Sequence, residues 1–239
     1  MDSVTDKYSV FDFFNLIIGG FAFLLGLALC NYTQAVALGS SLISEFGDIE
    51  SIAIIISVLF IGCSLIAGTV INEIMHFFFY TMLKLEDKVF KNCLNKSGLI
   101  KNEYKLRDYR KKAKEYLELT SINDDDDFTP AQCSAFFGHC IYYIHVRDKD
   151  RKTEKLREVK GLSELFAFVF FLIPTISLFI YIFTNKLCSV NGTTIFFYTL
   201  FLIFGCIFFM RAQRALENRI KMVLAVYNAC VDSRYGLGN

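Results

Sequence analysis

Apolar and polar positions separate along this chain into long blocks rather than alternating at short range. Four blocks are nearly free of charge, at residues 13–30, 52–71, 165–183 and 195–210. A helix crosses the hydrocarbon core of a bilayer with about 20 apolar residues, in a range of about 17–25. The first three blocks meet that length and the fourth is slightly short. A helix on the surface of a soluble bundle carries one apolar stripe, whereas these blocks have no polar face. The pattern predicts an all-α, multi-pass membrane protein of four transmembrane helices, with a helical cytoplasmic insertion between spans two and three. The expected domains are an N-terminal hairpin (1–83), the insertion (84–161), a C-terminal hairpin (162–210), and an amphipathic stem with its tail (211–239).

The second block continues past its membrane length. After Asn72, Glu73 and His76 comes another apolar run to residue 83. As one helix, residues 52–83 would extend about 48 Å at about 1.5 Å per residue, against a core of about 30 Å. The fourth block also runs on to about residue 232 without a proline. Its extension places Ile220, Val223, Leu224 and Tyr227 at i, i+3, i+4 and i+7, a stripe that seeks a partner helix in the same chain or in a neighbouring subunit. Within the insertion the expected helices are 85–93, 99–119 and 130–160. The last has a capping box, Thr129 to Gln132, with Pro130 at the first helical position. The acidic run Asp124, Asp125, Asp126 and Asp127 precedes it, near the positive end of the helix.

Charge orients these spans. The chain carries 25 Lys and Arg against 24 Asp and Glu, a net +1 that conceals their segregation. Eighteen of the basic residues lie in 84–161 and five more (Arg211, Arg214, Arg219, Lys221, Arg234) in the tail, while residues 31–51 have none. Lys and Arg accumulate on the cytoplasmic side. Both termini and the insertion are therefore expected on the cytoplasmic side of the membrane. The first span is expected to be retained, because Asp2, Asp6 and Asp12 against Lys7 give a signal peptide's leading region the wrong sign. Hydrophobic residues reach 54%, which excludes a disordered chain. Eight widely spread cysteines do not make a small disulfide scaffold. Cys30 and Cys188 fall near the outer face, where a disulfide is chemically open; cytoplasmic cysteines are expected reduced.

Two constellations are candidates for function. At the cytoplasmic edge of the spans, Asp12, Asn15, Asn72, Glu73, His76, Glu164, Arg211 and Arg214 share a depth. Ionisable groups there either snorkel to headgroups or face a pore or one another. They form a candidate polar gate. In the insertion, Arg107, Arg110, Lys111 and Lys114 lie at i, i+3, i+4 and i+7, with Tyr104 and Tyr109 interleaved. Arg and Lys suit phosphates and aromatic rings stack on bases, so the row is a candidate nucleotide or oligonucleotide site. Three plainer readings compete: a solvated helix face, contact with anionic lipid headgroups, or charge that only fixes topology. Cys133, His139, Cys140 and His145 lack zinc-finger spacing and are read as a packed helix. Glu73-x-x-His76 is half of a di-iron motif with no second copy. No metal or cofactor is expected, and no catalytic dyad is evident. Ala22-x-x-x-Gly26 and Ser64-x-x-x-Gly68 permit close helix contact, including contact between subunits.

The segment from Tyr8 through Asp12 to Gly19, Gly20 and Leu24 (YSVFDFFNLIIGGFAFL) resembles the start of small four-span bacterial membrane effectors of anti-phage defence, the Hailong-type membrane effectors. The resemblance covers about the first 25 residues and the four-span layout, with Gly19 standing where related proteins often have Pro. It implies a homo-oligomeric ion-conducting protein whose cytoplasmic part senses a nucleotide made by a partner nucleotidyltransferase. The expected function is thus a homo-oligomeric channel or pore-type effector in the lipid bilayer, gated through its cytoplasmic helices. The alternatives are a membrane enzyme or metal-dependent hydrolase using Glu73 and His76, with His139 or His145, and a non-catalytic scaffold subunit.

Overall fold

A computed structural model of the chain describes residues 10–46, 49–82, 89, 93–96, 98–118, 126–147, 149–184 and 191–235. Regular structure among them is helical: α1 (Val10–Cys30), α2 (Tyr32–Phe46), α3 (Ile49–His76), a π-helical turn (Phe77–Met82), α4 (Glu103–Tyr116), α5 (Pro130–Val146), α6 (Arg151–Phe183) and α7 (Gly192–Tyr235). Four helices, α1, α3, α6 and α7, are long and apolar enough to cross a membrane. The shorter α4 and α5 fall between the second and third of these, so the layout is the all-α one predicted. The chain divides into two compact units, Met1–Phe78 with Leu162–Met210, and Phe79–Gly161 with Arg211–Asn239.

The first unit is built by close helix contact and by aromatic stacking. A Cβ at Gly20 would collide with the carbonyl of Ser64 and the amide of Gly68, and one at Gly68 with the carbonyl of Leu16. The backbones of α1 and α3 therefore touch, and only glycine fits between them. Ser64 is buried beside them, its hydroxyl donating to the carbonyl of Phe60 at 2.7 Å. On its other side α1 meets α6, where Gly19 faces Leu165 and Gly26 faces Ile173. Both small-residue patterns are thus used inside one chain. α6 and α7 pack through rings. Phe170 lies 5.8, 5.7 and 5.6 Å from Phe201, Phe204 and Phe208, within the range favoured by aromatic pairs. The Tyr181 and Thr194 hydroxyls both reach the Cys30 carbonyl at 3.5 Å. Cys188 lies outside the described residues.

In the second unit the predicted stem stripe finds its partners in the same chain. Ile220, Val223, Leu224 and Tyr227 of α7 join Leu106, Tyr109 and Ala113 of α4 and Cys133, Phe136, Phe137, Cys140 and Ile144 of α5 in one buried core. Thr129 opens α5 with the expected capping box and Pro130 in its first turn.

Three expectations are corrected. The third insertion helix is not continuous over 130–160. It ends at Val146 and α6 begins at Arg151, because the Asp150 carbonyl accepts the amides of Thr153 and Glu154 (2.8 and 2.9 Å) and opens a new helix. The helix expected at 99–119 is shorter, Glu103–Tyr116, with Asn102 as its cap. Span two does not remain α-helical to residue 83, since its end is the π-helical turn. Residues 31–51, for which no element was expected, carry α2. A single residue, Asn31, joins α1 to α2, its side chain donating to Leu27 at 2.9 Å and its carbonyl accepting from Gln34 and Ala35. The helix expected at 85–93 and the acidic residues Asp124 and Asp125 lie outside the described residues, apart from positions 89 and 93.

Candidate functional site

α4 carries the basic row. Asn102 caps it by accepting the amide of Lys105 at 3.2 Å, which fixes the start and hence the register of both faces. Leu106, Tyr109, Arg110 and Ala113 form the buried face. The outer face holds Tyr104, 86% exposed, with Arg107 and Lys111 exposed and Lys114 half-buried. These four are spaced i, i+3, i+7 and i+10 and so share one side of the helix. The six residues expected to make a phosphate site are therefore divided between two faces.

Arg110 is a structural residue rather than part of an exposed phosphate row. It is 5% exposed. Its guanidinium donates to the carbonyls of Leu94 (3.4 Å) and Asp126, lies 5.3 Å from the centre of the Phe128 ring, and sits 4.0 Å from the Asp127 carboxylate. The five donors and flat face of arginine suit this double use. Asn95 reinforces the same junction: its side chain accepts from the Phe128 amide at 2.9 Å and donates to the Phe128 carbonyl at 3.3 Å. Tyr109 is buried beside Arg110, and burial, with Asp108 nearby, raises its phenol above the usual range.

Three basic residues that the spacing did not single out make specific contacts. Lys112 reaches from α4 to α7, donating to Asp232 at 2.7 Å and to Asn228, with Asp108 of its own helix at 3.4 Å. Arg147 donates to the Cys230 carbonyl at 3.4 Å and lies 4.3 Å above the Tyr143 ring. Lys160, 3% exposed, donates to the Tyr80 hydroxyl at 2.8 Å from within 4.8 Å of that ring's centre. Tyr80 belongs to the π-helical turn, a geometry often found at functional positions. The visible signal for Lys160 was its place in a helix that turns apolar a few residues later.

The polar-edge residues are distributed as follows. In the first unit Asn15 and Asn72 are half-buried, Glu73 and His76 are exposed on α3, and Glu164 is buried on α6. The buried side of α3 is its Ser64, Gly68, Ile71 and Met75 edge. Asp12 belongs to α1, with its side chain outside the described set. Arg211 and Arg214 are exposed on the part of α7 that belongs to the second unit.

Of the cysteine and histidine cluster of α5, the two cysteines lie in the core, whereas His145 does not, its side chain being 73% exposed. Cys133 and Cys140 are fully buried. His139 stacks on Tyr116 with ring centres 3.8 Å apart, and burial lowers its basicity. His145 instead points to Asp150, Nδ1 to carboxylate 2.5 Å. Among the described residues no three His, Cys, Asp or Glu side chains are grouped to hold a metal ion. No protein-family model, curated protein or solved structure matches the chain.

Proposed function

We propose that this chain is the subunit of a homo-oligomeric channel-type effector in the bacterial cytoplasmic membrane, gated by an anionic nucleotide or short oligonucleotide. The ligand lies on the outer face of α4, with Arg107 and Lys111 on its phosphates and Tyr104 stacked on a base. Arg110 and Tyr109 hold that helix in place from behind. The observation that carries this reading is the double membership of α7. Its first half packs on α6 among the apolar spans, and its second half packs on α4. A shift of α4 on ligand binding therefore acts on a helix that continues into the span unit. The exposed side of α3 supports the oligomer, because an ionisable Glu73 on an apolar span is costly unless another subunit or water faces it.

The test is ion flux from liposomes carrying the full chain, challenged with linear and cyclic di- and trinucleotides. Flux that depends on one of these and is lost in Arg107→Glu with Lys111→Glu is expected, with insertion unchanged. Absence of flux under every nucleotide tried would overturn the reading.

A further inference from the structure

The hydrogen-bond ladder of α1 breaks where α2 begins. In a continuous helix the Gln34 amide would bond the Cys30 carbonyl, but it bonds the Asn31 carbonyl at 3.0 Å. The freed Cys30 carbonyl accepts the Tyr181 and Thr194 hydroxyls instead, so the joint is fastened to α6 and α7. Chain length shows that α2 leaves the axis of α1. Gly20 of α1 lies level with the turn Ser64–Gly68 of antiparallel α3. On that register α3 starts about 9 Å beyond Cys30, at about 1.5 Å per residue. A straight extension of α1 would carry Phe46 about 24 Å beyond Cys30. The step from residue 46 to residue 49 spans at most about 11 Å. α2 therefore leans away from the axis of α1.

The two sides of α2 differ in character. At helical spacing Tyr32, Ala35, Val36 and Gly39 share one side, which the sequence continues with apolar residues at 42, 43 and 46. Thr33, Gln34, Ser40, Ser41 and Ser44 share the other. The apolar side is half-buried at Ala35 and Gly39 and open at Tyr32 and Val36, which are 64% and 50% exposed. We propose that α2 is an interfacial helix, its Tyr32 and Val36 edge seated at the boundary between lipid headgroups and acyl chains. The inference rests on the membrane placement of the spans. Continuity identifies the occupant: Leu25 near the end of α1 and Ile54 and Val58 near the start of α3 are exposed at the same end of the unit, and Asn31 alone separates α1 from Tyr32. Apolar surface given to acyl chains by the spans is thus carried on by α2. A tyrosine, with an apolar ring and a polar tip, suits that boundary. On the polar side the Ser40 and Ser44 hydroxyls donate to the Ala37 and Ser41 carbonyls at 2.8 Å. Residues 31–51 hold no Lys or Arg to meet anionic headgroups. Apolar area alone therefore seats the helix, and the charge of the lipid is immaterial. Through the Cys30 carbonyl, the joint of this helix links the lipid boundary to the ends of α6 and α7.

The chain has no tryptophan, so one introduced indole reports alone. The test reconstitutes the full chain in phosphatidylcholine liposomes as Tyr32→Trp, Ser41→Trp or Val58→Trp. The first two positions lie on opposite sides of α2, and the third is on the span α3. Phosphatidylcholine brominated near the top of its acyl chains should remove most of the emission of Tyr32→Trp and Val58→Trp. Ser41→Trp should keep its emission there and lose it to acrylamide. The Tyr32→Trp spectrum should not move when phosphatidylglycerol replaces half of the phosphatidylcholine. Three results would overturn the inference while Val58→Trp is still quenched by brominated lipid. One is acrylamide quenching Tyr32→Trp as fully as Ser41→Trp, which places the edge in water. Another is a blue-shifted Tyr32→Trp shielded from both quenchers, which places protein such as a second copy over it. The last is brominated-lipid quenching that grows with the phosphatidylglycerol fraction. Escape of Val58→Trp from brominated lipid would overturn the membrane reading as well. Val36→Trp gives the same comparison where Tyr32→Trp does not insert.

Discussion

Arg110 and Lys111 are neighbours with opposite tasks. The first ties two chain segments to α4 from inside the core, and the second is open to solvent. Removing a buried guanidinium strands the carbonyls it satisfied. Arg110→Ala is expected to cost about 3 kcal/mol of stability, whereas Lys111→Ala should stay within about 0.5 kcal/mol. Denaturant unfolding of the full chain, followed by hydrogen exchange over residues 93–144, separates the two. The inner role of Arg110 was legible in the sequence, since it sits inside the stripe Leu106, Tyr109, Ala113 at helical spacing. The basic spacing 107, 110, 111, 114 concealed it, because a row of charges fits either side of a helix until the apolar stripe is traced first. Its partners were not legible. Leu94 and Asp126 lie sixteen residues away in opposite directions, and no local pattern encodes such a meeting. The meeting of Asn95 with Phe128 was hidden for the same reason.

At the scale of helices, the spans and the stem were readable because apolar run length and 3.6-residue periodicity are local signals. The use made of small residues was not, since the pattern Ser64-x-x-x-Gly68 is the same whether it meets another subunit or α1. Its geometry yields a signed prediction. In a helix, Gly→Ala ordinarily stabilises by up to about 1 kcal/mol. At Gly20 the added methyl would strike α3, so the sign should reverse to a loss of about 1–3 kcal/mol. At Gly62, with nothing within 4 Å, the same change should be neutral or favourable. Thermal unfolding of both variants in detergent provides the comparison, and equal effects would contradict the α1–α3 contact. The break between α5 and α6 was missed because Arg147 to Asp150 reads as a charged stretch of helix. The structure instead uses Asp150 as a starting point, with the Thr153 hydroxyl also donating to its carbonyl at 2.7 Å.

For the whole molecule, the near-zero net charge gives no account of the organisation, and the placement of titratable groups gives more. Burial raises the thiol of Cys140 above its ordinary 9.0 and the phenol of Tyr109 above its ordinary 10.0. Both keep their protons in the folded chain at pH values where the unfolded chain has released them. Their contribution to stability is therefore complete below about pH 9 and declines as the pH rises through the raised values. Unfolding midpoints of the full chain should fall from pH 9 to pH 11, and Tyr109→Phe should flatten part of the fall. A midpoint that stays level would refute this. The second unit is also discontinuous in sequence, its core joining residues from 93 to 144 with Leu216, Ile220, Val223, Leu224 and Tyr227. During synthesis, α4 and α5 leave the ribosome before the helix that covers them. The two intervening spans must be made first, so Phe136 and its neighbours wait uncovered while the chain grows. Ribosomes that stall before residue 216 would therefore display an apolar surface to chaperones and proteases. Quality control can thus read from one face whether the last helix has arrived.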